Sequence, residues 1–418
     1  MASSPTNTAA ATPDTGSPVS TDLLIHLSAL SLDTLEPTLA NLSAAFSGQT
    51  VLVAMPEIAM PQIATSQIAA SQTAGLGSVP SFANLHLRPY TPAAPSAINW
   101  VLTASDYLNA YKLAQEHNVA ACLLLGPDSH TMQPESIRSL ADTTLSSSTD
   151  LVVSHYHLGP REGLVNSAIL YPLTRALFCT KPRFPLATDL SLSLRMAERL
   201  ATTAQRFTAA NQQDALLWPA AEAALAGYTI AETDIPTRIT PHPTAADLNA
   251  LLGQILGSFF TDIDAKASLW QRIRSVQPAR TITEPPLPPE QIDVTPMLES
   301  FQLAYSNLHE IWALVLPPHT LLGLKRLSVM PPEAFRIADN LWARIVYDFV
   351  LAYRLRTINR SHLLGALTPL YLAWVASHLI LIQSGVPPER HIEEVAQAFE
   401  TDKPYFVSRW RWPDRFNP

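Results

Sequence analysis

Val119-Ala-Ala-Cys-Leu-Leu-Leu125 is apolar throughout and is closed by Gly126-Pro127-Asp128-Ser129. A short apolar run between turn residues is what a strand buried on both faces requires, and such strands lie inside parallel sheets. Working back from it, Ser105 to Glu116 has the spacing of a helix, Leu85 to Arg88 reads as a strand, and Thr50 to Met55 as another. Before these, Asp33 to Ala45 places Leu35, Leu39 and Leu42 at helical intervals, and Leu23 to Leu30 reads as the first strand. Working forward, Asp150 to Val153 opens a further strand, and Leu192 to Thr202 reads as a helix. Strands alternating with helices predict an α/β domain with a mostly parallel sheet.

The rest of the chain sets bounds on that domain. At 418 residues it exceeds one ordinary domain. Hydrophobic residues make up 47% and charged ones 15%, which supplies a core and excludes wholesale disorder. Residues 1–20 lack both a basic residue and an apolar run, so they read as a disordered tail and not as a signal peptide. The α/β domain is expected over 21–245. A connecting helix (Ala246 to Arg274) and the proline-rich Thr283 to Pro289 fill 246–289, and a helical C-terminal domain occupies 290–418. There Leu298, Phe301, Tyr305, Leu308 and Trp312 share one helical face, as do Leu341, Ile345, Phe349 and Ala352. Three copies of an Ile-Ala-x-x-Gln unit starting at Ile58, Ile63 and Ile68 are too short for a repeat fold and read as loop or frayed helix.

Leu363 to Ile382 runs twenty residues without a formal charge, which meets the length test for a membrane span. It also carries Thr368, Pro369, Ser377 and His378 and stands alone in the chain, so a buried helix is the favoured reading. A net charge of −8 argues against nucleic acid as a partner, since phosphate binding needs clustered cations. Two cysteines, Cys122 and Cys179, make neither a disulfide framework nor a cysteine-based zinc site, and fit a cytoplasmic setting.

Glycine is scarce, 13 residues, and neither GxGxxG nor GxxxxGK[ST] nor GxSxG nor HExxH occurs. Polar residues at strand ends remain. Asp128 and His130 follow the buried strand, where ligand sites form in parallel sheets, although Gly126 to Ser129 also makes an ordinary turn. Asp189 precedes a helix and reads either as an acceptor-binding carboxylate or as a helix-start residue. Asp214 and Trp218, at the front of another helix, carry the same two readings.

Asn166-Ser-Ala-Ile-Leu-Tyr-Pro-Leu-Thr-Arg-Ala-Leu-Phe178 is similar to the helix that follows the metal-binding strand in bacterial glycosyltransferases of the glucosyl-phosphoglycerate and mannosylglycerate synthase type. So are Phe335-Arg-Ile-Ala-Asp-Asn-Leu-Trp-Ala-Arg-Ile-Val-Tyr-Asp-Phe349, Leu367-Thr-Pro-Leu-Tyr371 and Glu400-Thr-Asp-Lys-Pro-Tyr-Phe-Val-Ser-Arg-Trp410. The resemblance runs from about Ala120 to the end. It implies a GT-A fold with a helical extension, and a divalent cation, Mn2+ or Mg2+, held by an acidic DxD motif against a nucleotide-sugar diphosphate. The charge-handling positions depart from that pattern. The DxD positions read Gly126-Pro127-Asp128, the glycine-lysine-glycine loop reads Leu102-Thr103-Ala104, and the glycine-glycine-Asp loop reads Ala187-Thr188-Asp189. The Asp expected two residues before Trp218 is Leu216, the late histidine is Ile239 with His242 three residues on, and the base-binding Asp falls in the Pro56-Glu57 region.

Two functions follow. In the first, the protein transfers a hexose from a nucleotide-sugar to a small acceptor. Asp128, with His130 and His242, would be the metal residues, Asp189 and Asp214 the catalytic or acceptor carboxylates, and Arg183 and Trp218 the substrate contacts. In the second it is a catalytically inactive homologue, kept as a binding or assembly module whose apolar helical end supplies a homo-oligomer or partner surface.

Overall fold

The computed structural model describes residues 22–28, 32–57, 82–92, 100–186, 188–239, 247–280 and 292–413. The expected tail, the Ile-Ala-x-x-Gln units, the proline-rich stretch and His242 lie outside the described residues.

Among the described residues seven strands form one sheet: β1 (Leu23–Leu27), β2 (Val51–Pro56), β3 (Leu85–Tyr90), β4 (Ala121–Leu125), β5 (Leu151–Tyr156), β6 (Leu190–Ser193) and β7 (Ile230–Ile235). Their order across the sheet is β3-β2-β1-β4-β6-β5-β7. All pairings are parallel except those of β6, which runs antiparallel to both neighbours. The apolar run Val119 to Leu125 contains the central strand β4, every residue of which is buried. Helices α1 (Leu32–Ala45), α2 (Ala104–Glu116) and α3 (Pro134–Ser147) precede β5.

One expected element is corrected. The helix read from Leu192 starts two residues later, as α5 (Leu194–Ala209), after α4 (Tyr171–Phe178). Leu190-Ser-Leu-Ser193 is instead strand β6, whose alternation shows in hindsight. Ser193 ends the strand and caps the helix, its Oγ accepting from the Met196 N–H at 3.3 Å.

The C-terminal region is helical, as expected. After α6 (Pro219–Ala226), the connecting helix is broken at Lys266 into α7 (Leu248–Ala265) and the short α8 (Ala267–Trp270). Among the described residues five α-helices follow: α9 (Thr295–Ala313), α10 (Pro318–Ser328), α11 (Asp339–Leu355), α12 (Arg360–Gln383) and α13 (Pro388–Arg411). Helix α12 carries the charge-free run and is the one described helix long and apolar enough to cross a membrane. Most of it is buried inside the protein. Its polar atoms are used there: the Ala366 carbonyl accepts from Trp312 Nε1 at 2.9 Å, and Ser377 Oγ accepts from the Ile337 N–H at 2.9 Å.

One apolar core surrounds the sheet, and a larger one gathers Ala168 to Phe178 with the helices from α7 onward. Arg175, on α4, is buried against Glu393 and Glu400 of α13, and Trp342 Nε1 donates to the Ala168 carbonyl at 2.8 Å. The stretch that resembled a transferase helix thus sits between sheet and helical end. The architecture is a mostly parallel α/β sheet followed by helices.

Candidate functional site

The carboxyl ends of β4 and β5 and the loop before β6 converge on one buried carboxylate. Asp189 is fully buried and accepts five hydrogen bonds. Its Oδ1 takes the Gly126 N–H at 3.1 Å and Arg238 Nη2 at 3.2 Å. Its Oδ2 takes Tyr156 OH at 2.9 Å, Thr188 Oγ1 at 3.2 Å and Arg238 Nε at 2.8 Å. Arg238 completes the knot through Nη2 to the Pro127 carbonyl at 2.6 Å and Nη1 to the Ile239 carbonyl at 2.9 Å. Burial works against the guanidinium charge, but Asp189 overcomes it and holds Arg238 above its ordinary value. Burial, then the Asp189 charge, pushes the Tyr156 phenol up.

This knot occupies the place where the resemblance implied a divalent cation, and the described residues there do not fit one. A Cβ on Gly126 would lie 2.9 Å from both Cβ and O of Thr188, so no acidic side chain has room at the first motif position. Asp128 does carry a carboxylate, in a left-handed turn with φ 61°, but its charge already bears on Arg238. A second cation beside a buried guanidinium is repelled by it.

The other expected residues are spread over several environments. The His130 carbonyl accepts from Asn41 at 2.7 Å, and its Nδ1 is buried without a hydrogen-bond partner among the described residues. Arg183 is buried and pairs with Glu389 of α13 at 2.9 Å, with Nη2 on Ser167 Oγ at 2.8 Å. Trp218 is buried on Phe259, ring centroids 4.4 Å apart, and donates to Ser258 Oγ at 3.1 Å. Asp214, half-buried before α6, is close enough to Asp106 to act with burial in pushing that carboxyl up to about 6. Asp128 and Asp189 therefore meet around Arg238, while Arg183 and Trp218 bind the helical region.

Beside the knot lies a cleft of about 330 Å3. Trp100, Leu158, Leu164, Leu251, Ile255 and Val375 give it a mainly apolar wall, with Tyr156, Asn166 and Thr188 as polar points. A larger cavity of about 900 Å3 between α5, α6 and α7 includes Trp218 in its lining. Among its charges Arg199 and Lys266 pair with Glu222, and Arg195 reaches out of the lining to Asp150.

Sequence reasoning missed Arg238, Tyr156 and Glu389. An isolated arginine, tyrosine or glutamate carries no spacing signal, and only the fold brings them to Asp189 and Arg183.

Fold and site together define an α/β protein with a helical C-terminal region whose sheet-end carboxylate is closed by an internal guanidinium. No family model matches the chain, and no curated protein does. Among solved structures it is similar to glucosyl-3-phosphoglycerate synthase from Mycobacterium tuberculosis in complex with Mn2+, uridine diphosphate and glucosyl-3-phosphoglycerate. That match has 15% identity, covers 58% of this chain and 78% of that one, and has a TM-score of 0.35. The same enzyme in complex with phosphoglyceric acid matches at 14% identity over the same shares, with a TM-score of 0.33.

Proposed function

We propose that this chain is a catalytically silent glycosyltransferase-like protein that keeps the fold as a binding module. Its ligand is a small, largely apolar molecule seated in the cleft lined by Trp100, Leu251 and Val375. The observation that supports this reading is the Arg238–Asp189 pair. A guanidinium built into the sheet end neutralises the carboxylate that would otherwise meet a metal or an acceptor, and Thr188 fills the space of the missing motif side chain. The adjoining wall is suited to apolar contact, where area removed from water contributes roughly 25 cal/mol per Å2.

The test is calorimetric titration of the folded protein with UDP and GDP, each with and without Mn2+, beside titration with an environment-sensitive apolar dye. Expected are no metal-dependent nucleotide heat, dye binding that Leu251→Arg abolishes, and no effect of Asp128→Ala on either. Metal-dependent nucleotide binding that Asp128→Ala removes would overturn the proposal. It would restore hexose transfer from a nucleotide-sugar, with Asp128 as metal ligand.

A further inference from the structure

His155-Tyr-His157 spans the carboxyl end of β5. Successive side chains of a strand point to opposite faces, so the two histidines share a face while Tyr156 turns inward to Asp189. The neighbouring strand β7 is parallel and at the sheet edge, in a register that sets Asp234 directly beside His155. Three ligand atoms converge as a result. His155 Nδ1 lies 2.7 Å from Asp234 Oδ1, His157 Nε2 lies 3.7 Å from the same oxygen, and all three atoms fall within 4.8 Å of one another. The Phe184 ring, 5.9 Å from that of His155 between centroids, packs against the inner imidazole, while His157 and Asp234 face solvent.

We propose that His155, His157 and Asp234 form a binding site for a transition-metal dication of the Zn2+ class. It is separate from the Asp128 region and independent of the function proposed above. Ligand atoms bound at about 2.0–2.2 Å around one tetrahedral ion lie about 3.4 Å apart, a spacing these atoms reach by small rotations of exposed side chains. Two imidazoles and one carboxylate suit zinc, cobalt or nickel, whereas magnesium and calcium take oxygen ligands. Three protein ligands on a solvent-facing edge leave the fourth position to water or an external donor. The competing account of the same geometry is a plain cross-strand His–Asp contact.

The full chain, free of any affinity tag, is titrated with Zn2+ against a chelating dye and with Co2+ by visible absorption. Expected are one equivalent of Zn2+, a d–d band for Co2+, and no displacement by excess Mg2+. His157→Ala and Asp234→Asn, both on exposed side chains, each weaken binding by about 10–100-fold while the metal-free melting temperature stays unchanged. His130→Ala and His242→Ala leave binding intact. Zn2+ binding that survives both His157→Ala and Asp234→Asn, or that is lost in His130→Ala or His242→Ala instead, overturns the proposal. So does the absence of any stoichiometric Zn2+ binding in the folded protein.

Discussion

At the scale of single residues, Arg238 decides the character of the sheet end. It brings one charge into a fully buried site, and Asp189 returns the opposite one, with every carboxylate oxygen engaged. Breaking one half of such a pair leaves the other charged and unsolvated, which costs about 3–5 kcal/mol, whereas replacing both halves costs much less. Arg238→Met is therefore expected to destabilise the protein by about that amount in urea denaturation, and Arg238→Met with Asp189→Asn to recover most of the loss. Additive losses in the double variant would mean that the two side chains act separately. Asp128 and Asp189 could be singled out in the sequence, the first because it follows a buried strand and the second because it stands just before a helix. Their partner could not, because Arg238 lies 49 residues beyond Asp189 in the chain. The signal for the metal cluster was half visible: His155-Tyr-His157 is a strand-period pair, but Asp234 joins it only through the β5–β7 register.

At the scale of elements, α12 shows why composition alone leaves a long apolar helix undecided. A spanning helix and a core helix need the same length and the same residues. What separates them is what covers the surface, and here it is protein on nearly all sides. Trp374 is buried between Trp342, His378 and His391, with ring centroids 6.1, 5.0 and 5.9 Å away. Trp374→Ala is expected to cost about 3–5 kcal/mol, read as a lower denaturation midpoint with an unchanged slope. A loss under about 1 kcal/mol would show that this face of α12 is not packed against protein. Strand β6 taught the opposite lesson. Four residues of alternation merge there into a helix with a strong periodicity of its own, and the helical pattern masks the strand.

At the scale of the whole molecule, the larger apolar core reaches from Val101 to Trp410 and takes in α4 as well as the helical end. Tyr171 and Arg175 of α4 are buried against α13, Tyr171 donating to Glu393 at 3.0 Å. Removing residues 388–418 would leave those groups facing water and open the core around Trp270, which stacks on Phe406 at 5.0 Å. The truncated chain is expected to bind 8-anilinonaphthalene sulfonate and to lose its sharp thermal transition, while the intact chain unfolds in one calorimetric step. Two well-separated transitions in the intact chain would instead mark sheet and helical end as independent units.

The amino-acid sequence by itself determined the fold class and most of the elements. Local information suffices for that: a buried strand must be an apolar run, an amphipathic helix must repeat its apolar face, and turn residues must separate them. It also determined that Gly126, and not an acid, stands two residues before Asp128, where the resemblance implies the first acid of a DxD motif. Only the tertiary structure decided what surrounds Asp128 instead. A buried charge has to find its counter-charge wherever the chain brings one near, so the Arg238–Asp189 knot and the Arg183–Glu389 pair join residues 49 and 206 positions apart, while the β5–β7 register brings the exposed Asp234 to His155 across 79. Those separations follow from strand order and helix packing, which no local pattern of residues records.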